Sequence, residues 1–331
     1  MSVSLKELAS RSGLSPSTVS QILNRRPNDF SSESTRRRVF ALAEKLGYRQ
    51  SFAHKVLRGD KTFTAAILLS MHRISLEEHI QELLLLLLDK LEGRDYASYL
   101  ITLGSEASAN LERVQDLVSR GVDYFIFIGS PVGESGIEAE LLDKERNFIG
   151  YNSNMRRNLG NDIAGASEGI LRYFLRRGCR NFKLLLSNAN CTRSQGLFRV
   201  FPEQSPESLL RKYFVQLEDM GDHNDIDRFT LEGYCKTREL LRVDPSIQAF
   251  FYLSDYFALG GVKYLYEHGY KIGKDILVAG FNNIHAVRNH VFPIISAKHD
   301  IEEISNIIIA QTNKSEVLER NVKVKLIIRE D

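Results

Sequence analysis

The sequence contains few cysteines and no long apolar run. Its 331 residues include three cysteines, Cys179, Cys191 and Cys235, and no two of them form a CxxC pair. This scarcity argues against zinc ribbons, disulfide scaffolds and redox motifs, so we expect no metal site and no cofactor. The longest apolar run, Leu83 to Leu88, is far shorter than the roughly 18 residues that cross a bilayer. We therefore expect no membrane segment.

The opening residues also lack the apolar core of a secretory signal, since they read Met-Ser-Val-Ser-Leu-Lys-Glu. Together with the few cysteines, this favours a cytoplasmic location. Apolar residues make up 43% and charged residues 26% of the chain, which is typical of a folded protein rather than a disordered one. The length predicts two or three domains.

Charge is unevenly distributed along the chain. Residues 1–60 carry eleven basic and five acidic side chains, a net charge of +6. The remaining 271 residues carry 33 basic and 37 acidic side chains, a net charge of −4. A small basic segment joined to a mildly acidic body indicates a module that binds a polyanion. The alternative is a chance excess of charge in a short segment.

The first fifty residues read as three short helices. Ser4 to Glu7 fits a capping box, and Gly13 supplies the left-handed turn that ends the first helix. Ser15 and Pro16 are a hydroxyl cap followed by proline at the first helical position. A third helix is predicted to begin near Ser31 or Ser32 and to end before Gly47.

The spacing of Ala9, Gly13 and Val19 indicates how the first two helices meet. A small residue permits close approach, the glycine makes the turn, and the branched residue packs at the crossing. This arrangement is typical of a helix-turn-helix, whose second helix enters the major groove of DNA. Other three-helix modules can show the same spacing, but the caps and the basic charge favour DNA binding.

Three stretches resemble the lactose-repressor (LacI/GalR) family. Leu14 to Asn24 is similar to the family's recognition helix, Arg36 to Tyr48 to its third helix, and Tyr48 to Arg58 to its hinge helix. The resemblance extends along almost the whole chain. It implies a bacterial transcriptional regulator with an N-terminal all-α helix-turn-helix head and an α/β, periplasmic-binding-protein-like core of two Rossmann-like subdomains.

The resemblance also assigns roles in the head. The residues that would read base edges are Pro16, Ser17 and Gln21. Short polar or basic side chains suited to phosphate oxygens are Ser15, Thr18, Ser20, Asn24 and Arg25. The hinge residues expected at the minor groove are His54, Lys55 and Leu57, of which Leu57 would be the apolar wedge between base pairs.

Two departures from the family pattern bear on the DNA site. Gln21 stands where arginine is common, and glutamine pairs best with adenine whereas arginine prefers guanine. We therefore expect a different base opposite Gln21, unless this side chain is simply solvated. In the hinge, Gln50 replaces a common proline and His54 replaces a small residue. The first change should make ordering of the hinge helix harder, and the second disfavours a tight fit in the minor groove. A plain linker over 50–60 is the alternative.

Beyond Thr62, short branched or aromatic runs alternate with helical segments. The predicted buried strands cover residues 65–69, 97–101, 124–128, 148–151, 182–186, 249–252 and 276–279. Such alternation predicts parallel sheets covered by helices on both faces. From the resemblance we expect crossings between two halves near 155–162, 282–292 and 316–321. The predicted domains are 1–48 (head), 49–61 (hinge segment), 62–158 plus 288–318 (core N-subdomain) and 159–287 plus 319–331 (core C-subdomain).

A ligand is expected beyond the carboxyl ends of the strands. By resemblance, Arg193, Asp255, Phe281 and Asn282 would bind a small-molecule effector, a sugar or a related metabolite. Asn282 stands where an aspartate commonly accepts sugar hydroxyls, which weakens the case for an ordinary sugar. The alternatives are a surface ion pair for Arg193 and capping of the following helix for Asp255.

Six consecutive leucines, Leu83 to Leu88, cover every side of a helix, so both of its faces should be buried. One face would pack on the sheet and the other on a second subunit, giving a homodimer through the core N-subdomain. The alternative is burial on both sides within one chain.

The sequence therefore predicts a regulator that binds a near-palindromic double-stranded DNA operator as a homodimer under control of an effector. The resemblance favours a repressor, because repression is the commoner mode in the family. We expect no catalytic residue, because phosphate-binding loops, nucleophile elbows and HExxH motifs are missing. The alternatives are a helix-turn-helix regulator whose core has lost effector binding, and a solute-binding receptor.

Overall fold

The computed structural model describes residues 3–23, 29–48, 61–70, 78–218, 226–313 and 319–329. The chain divides into two compact units, residues 1–62 and 63–331, which we call the head and the core. Asn24, Arg25 and the hinge residues His54, Lys55 and Leu57 lie outside the described residues.

The head begins with two short helices joined at Gly13. Helix α1 (Leu5–Ser12) is capped by Ser4, whose Oγ accepts a hydrogen bond from the N–H of Glu7 at 3.2 Å. The Glu7 carboxylate pairs with Arg11 at 2.7 Å. Gly13 has a φ of +70°, the left-handed conformation that the sequence predicts for this turn.

Helix α2 (Pro16–Leu23) begins after Ser15, whose Oγ accepts from the N–H of Thr18 at 3.1 Å. Helix α3 (Glu33–Lys45) is capped in the same way by Ser32. The hydroxyl caps predicted at Ser4 and Ser15 and the predicted start of the third helix are thus confirmed, whereas the Glu7 carboxylate, the other half of the capping box, pairs with Arg11. The three helices bury a common apolar cluster, formed by Leu8, Ala9, Val19, Ile22, Val39 and Ala43.

The core contains two six-stranded sheets, with strand orders β11-β5-β4-β3-β1-β2 and β12-β10-β9-β8-β6-β7. The strands of the first sheet are β1 (Thr64–Leu69), β2 (Ala97–Thr102), β3 (Tyr124–Ile128), β4 (Asn147–Tyr151), β5 (Asn158–Asn161) and β11 (Glu319–Val322). Those of the second are β6 (Phe182–Leu186), β7 (Phe214–Gln216), β8 (Ala249–Tyr252), β9 (Leu277–Phe281), β10 (Ile294–Lys298) and β12 (Lys325–Ile327). All pairings are parallel except that of β10 with β12.

Helices cover these sheets, as the predicted alternation requires. They are α4 (Glu78–Glu92), α5 (Ala107–Ser119), α6 (Glu134–Asp143), α7 (Ile163–Arg176), α8 (Thr192–Val200), α9 (Pro206–Tyr213), α10 (Ile226–Val243), α11 (Asp255–Glu267), α12 (His285–Arg288) and α13 (Ile301–Ala310). Each sheet has apolar clusters on its faces, and β1, β3, β8 and β9 are buried along their whole length. Across the described ranges, no helix combines the length and apolarity that crossing a membrane requires.

The predicted strand over 97–101 exists but is not buried. Because β2 lies at the edge of the first sheet, with β1 as its neighbour, most of its residues are exposed. The strands β5, β7, β10 and β11 were not predicted. Three of them are short, and β5 reads Asn-Leu-Gly-Asn, a composition poor in the branched residues that mark strands.

Two of the three expected crossings between the sheets lie elsewhere. The first is at Asp162, between β5 and α7, within the expected range 155–162. The second is at residues 299–300, not 282–292, because β10 still belongs to the second sheet. The third is at residues 323–324, not 316–321, because β11 pairs with β5 in the first sheet.

The domain boundaries move accordingly. Helix α13 packs on α4, and Lys90 of α4 contacts Glu302 of α13 at 2.5 Å. We therefore call residues 63–161 plus 301–322 the first half of the core, and residues 163–298 plus 325–329 the second half. The predicted boundaries at 158, 288 and 319 are wrong by a few residues to about ten, since they separate strands from their own sheets.

Candidate functional sites

The outward face of α2 carries the residues predicted to read DNA. Val19 and Ile22 point into the head's apolar cluster and are fully buried. Pro16 and Ser17 are exposed and Gln21 is half-buried on the other side of the same helix. This helix therefore presents Pro16, Ser17 and Gln21 together on a face that the head's own packing does not use.

The polar residues of the same helix differ in their accessibility. Ser15 is exposed, Thr18 is half-buried, and their hydroxyls hydrogen-bond each other at 2.9 Å. Ser20 follows Val19 towards the interior and is only 9% exposed. Of the described residues predicted to contact phosphates, Ser20 is therefore the least accessible, and its contact stays a prediction. Ser15 and Thr18 lie where they could reach a phosphate.

The arginine run of α3 supports the head itself. Arg36 donates to the Asp29 carboxylate at 2.7 Å and also to the Asp29 carbonyl at 2.8 Å. Arg38 donates to the carbonyl of Ser12 at the end of α1, at 3.2 Å. These two arginines tie α3 to Asp29 and to the end of α1.

In the core, Asp255 is completely buried rather than facing a ligand. Its Oδ1 accepts from the Ser296 hydroxyl at 2.8 Å, and its Oδ2 accepts from the N–H of Ile284 at 2.9 Å. Burial raises the pKa of Asp255 to about 7, while these hydrogen bonds act in the opposite direction. Asp255 thus fastens the start of α11 to β10 and to the loop after β9. Asp255 is the first residue of α11, and the N-cap residue Ser254 makes no side-chain cap bond, so the described contacts of Asp255 do not include the alternative role as a helix cap. Its contact with an effector stays a prediction.

The glycine at position 280 is required by this buried carboxylate. A Cβ at Gly280 would lie 2.2 Å from Oδ1 of Asp255 and 2.9 Å from its Cα. The close approach of β9 to the first turn of α11 is therefore possible only without a side chain at position 280.

The other three predicted effector residues lie together at the carboxyl end of β9. Cζ of Arg193, in the first turn of α8, lies 4.3 Å from the centroid of the buried Phe281 ring. This distance fits a cation–π contact. Asn282 follows Phe281, is 8% exposed, and has a φ of +94°. The structure thus brings Arg193, Phe281 and Asn282 to one place.

Two histidines complete this group, and no motif or spacing in the sequence points to either. Nε2 of His299 lies 3.3 Å from Oδ1 of Asn282, and its ring stacks on that of His79 with centroids 4.3 Å apart. Burial, His79 and Arg193 together lower the pKa of His299 well below its ordinary value. Nδ1 of His299 is buried without a hydrogen-bond partner among the described residues. We call Arg193, Phe281, Asn282, His79 and His299 the cleft cluster.

The cleft cluster joins the two halves. His79 lies in α4 of the first half, Asn282 follows β9 of the second half, and His299 lies in the second crossing. Nearby, Glu82 of α4 pairs with Arg288 of α12 at 2.7 Å. Glu78 accepts from the N–H of His285 at 2.7 Å. Helix α4 is therefore bonded to α12 across the two halves.

The leucine-rich helix α4 is buried on one side only. Leu83 and Leu87 are fully buried against the first sheet, whereas Leu85 is 70% exposed. On the adjoining edge strand β2, Leu100 is 51% exposed. Burial of both helix faces within one chain is therefore wrong, and an apolar surface remains on the first half.

Residues 4–51 match the family model of bacterial regulatory proteins of the lacI family, and residues 171–321 match that of the periplasmic binding protein-like domain. The chain thus carries a LacI-family helix-turn-helix domain followed by a periplasmic-binding-protein-like domain. Its relatives include the HTH-type transcriptional regulator GalR of Streptococcus thermophilus, 22% identical over 96% of this chain and 94% of that protein. The HTH-type transcriptional repressor MelR of Bacillus subtilis (strain 168) is 23% identical over 91% of this chain and 88% of that protein.

Solved structures give the same fold. The lac repressor dimer bound to operator and the anti-inducer ONPF aligns with a TM-score of 0.74 and 15% identity, over 99% of this chain and 98% of that one. The complex of the regulator CelR with cellobiose aligns with a TM-score of 0.61 and 18% identity, over 99% of both chains. The predicted fold class, a LacI-family helix-turn-helix head and a periplasmic-binding-like α/β core, is confirmed.

These relatives are transcriptional regulators, and this chain is similar to them over more than 90% of its length. No group of three or more histidine, cysteine, aspartate or glutamate side chains that could hold a metal ion occurs in the parts of the chain that the structure describes.

Proposed function

We propose that this LacI-family regulator is a repressor that binds a near-palindromic DNA operator as a homodimer and responds to a small molecule in the core cleft. The observation that carries this proposal is the outward face of α2. A helix with Pro16, Ser17 and Gln21 together on its outer face, held by a capped and buried three-helix head, is suited to entering a major groove. A target in DNA implies that the protein acts in the cytoplasm.

Within this proposal, Pro16, Ser17 and Gln21 read base edges. Ser15 and Thr18 contact phosphates, as do Asn24 and Arg25, which lie outside the described residues. Ser20 belongs to the same predicted set of phosphate contacts, although it is only 9% exposed. The hinge residues His54, Lys55 and Leu57, also outside the described part, would enter the minor groove, where Leu57 acts as the wedge.

Selection of bound duplexes from a random pool tests the DNA site with the full-length chain. We expect two inverted half-sites and an adenine opposite Gln21, because a glutamine amide pairs with adenine N6 and N7. The variant Gln21→Arg should shift that position towards guanine, whereas the control Ser10→Ala on α1 should leave the selected site unchanged. A required guanine in the wild-type site would contradict the role of Gln21. Failure to enrich any duplex would overturn the proposal as a whole.

The effector would bind at the cleft cluster. Arg193 offers a forked donor beside the Phe281 ring, and the amide of Asn282 offers both a donor and an acceptor. A sugar or a related metabolite fits this mixture of polar groups and an aromatic face, and the solved CelR complex contains cellobiose. Ligand contact there would change the angle between the halves, since the cluster includes residues of both.

Thermal-shift screening of sugars and metabolites tests the cleft. A compound that raises the melting temperature of the wild type should no longer do so in Arg193→Ala. It should still do so in Arg199→Ala, which removes the same charge from the same helix, α8. The change in operator affinity on adding the hit then shows whether it induces or co-represses. If no compound from broad chemical classes raises the melting temperature, a regulator whose core has lost effector binding is favoured instead. The hydrogen bonds of the buried Asp255 carboxylate to Ile284 and Ser296 agree with that alternative.

A further inference from the structure

A cavity lies in the second half of the core, at the opposite end of the strands from the cleft cluster. Its volume is about 420 Å³, within the range of small-molecule sites. It lies against Leu277, the first residue of β9, and Ile295, near the start of β10. Asn282 of the cleft cluster follows the other end of β9. The cavity is therefore separate from the cleft.

Three basic side chains from three different segments line this cavity, and no acidic side chain of the described residues does. Arg177 follows α7, Lys274 lies in the turn before β9, and Arg329 follows β12. The nearby Asp275 carboxylate accepts the backbone N–H of Lys271 at 2.9 Å and is not among the lining residues. Three cations around a cavity lined by no carboxylate create a strongly positive site.

The guanidinium of Arg177 is held in place by its neighbours. Nη1 donates to the hydroxyl of Tyr173 at 2.7 Å, and Nη2 donates to the carbonyl of Gly273 at 3.2 Å. These bonds occupy two of its five N–H groups. Gly273 has a φ of +89°, and a Cβ there would lie 2.5 Å from Cγ of Pro293. The rim of the cavity is thus preorganised.

The floor of the cavity is apolar. Leu277 and Ile295 are 5% and 2% exposed, and the Tyr173 ring is almost as well buried. An apolar floor with basic groups at the rim fits a ligand that has an apolar body and an anionic end. A phosphate group suits three cations better than a carboxylate, because it carries up to two charges and three acceptor oxygens.

We propose that this cavity is a second ligand site that binds an organic phosphate, with the phosphate on Arg177, Lys274 and Arg329 and the organic body on Leu277 and Ile295. The site goes beyond the proposed effector cleft and does not depend on it. Arg329 also donates to the carbonyl of Val287 in α12, the helix whose Arg288 pairs with Glu82 of the first half. A ligand there contacts a residue that positions a connection between the halves.

Calorimetric titration of the full-length chain at constant ionic strength tests this proposal. Phenyl phosphate is the probe, benzoate tests a carboxylate on the same ring, and phenol tests the ring alone. We expect saturable binding of phenyl phosphate, weaker binding of benzoate and none of phenol. Arg177→Ala and Arg329→Ala should each weaken phenyl phosphate binding about tenfold or more, because each removes a charge-assisted hydrogen bond.

The matched control is Arg172→Ala. Arg172 lies in α7, the helix that Arg177 follows, pairs with Glu168 and does not line the cavity. This variant should bind phenyl phosphate like the wild type. Unchanged operator binding would show that the Arg177 and Arg329 variants are folded, and either variant alone suffices for the test. Absence of phenyl phosphate binding up to millimolar concentrations, or equal binding by the wild type and both variants, would overturn the proposal.

Discussion

The buried carboxyl group of Asp255 makes the stability of the core depend on pH in a direction that can be worked out. The pKa is about 7 in the folded chain, against an ordinary value of 3.8. Between these two values the folded chain keeps a proton that the unfolded chain has released. The free energy of unfolding should therefore fall as the pH rises through this window, by at most about 4 kcal/mol, and level off above it.

His299 acts in the opposite direction. Its pKa is lowered in the folded chain, so below its ordinary value of 6.5 the unfolded chain binds a proton that the folded chain does not. That contribution raises the free energy of unfolding as the pH rises towards 6.5. The dependence of the wild-type unfolding free energy on pH contains both effects, and a variant of Asp255 is needed to separate them.

The variant Asp255→Asn keeps the shape of the side chain but cannot ionise. Relative to the wild type, it should gain about 2 kcal/mol of stability between about pH 5.5 and about pH 8, because only the wild type must then bury a charge. Urea unfolding followed by circular dichroism at both pH values measures this difference. A control in His299→Gln, with Asp255 intact, should retain the Asp255 effect. Parallel pH responses of Asp255→Asn and the wild type would refute the reasoning.

Three further predictions follow from the contacts. Leu85→Glu should shift a dimer towards monomer in analytical ultracentrifugation, because it places a charge on the exposed face of α4, while Glu92→Gln on the same helix should not; an unchanged mass would remove α4 from the interface. Glu82→Ala and Arg288→Ala should show a coupling energy of about 0.5 to 1 kcal/mol in a double-mutant cycle of urea unfolding, since the pair is partly exposed, and additive effects would mean that the contact contributes nothing. Ser15→Ala should cost about 1 kcal/mol of head stability by removing the α2 cap, and should also weaken operator binding; an unchanged melting curve of the head would argue against the cap.

Local signals made the head predictable. Ser4, Ser15 and Ser32 each stand just before a helix, and the φ of Gly13 is the one that a helix end requires. These features depend on residues within a few positions of each other, so the sequence alone contains them. The buried strands β1, β3 and β8 were predictable for a similar reason, since each is a continuous apolar run.

The cleft cluster could be predicted only in part, because its members come from distant segments. Arg193, Phe281 and Asn282 were found through the family resemblance, but His79 and His299 are 220 positions apart and stack only in the folded chain. Burial also determines whether a polar side chain can reach a ligand. Asp255 and Ser20 have the chemistry of contact residues, yet their surroundings enclose them. Composition and spacing do not contain that information.

The three crossings lie side by side, and this limits how the core can move. Asn161 pairs with Val322 where the first and third crossings leave the first sheet, and Lys298 pairs with Lys325 beside the second. Lys325 also contacts Asp300 at 2.5 Å, which ties the second crossing to the third.

Asp162 and Asp300 each cap the helix that follows, so only one or two residues per crossing are left to twist. We therefore expect the cleft to open by a hinge rotation about the three crossings rather than by a sliding of one sheet past the other. Because His299 lies in the second crossing, a molecule that touches its ring would contact the hinge of this motion as well as the two halves that it joins.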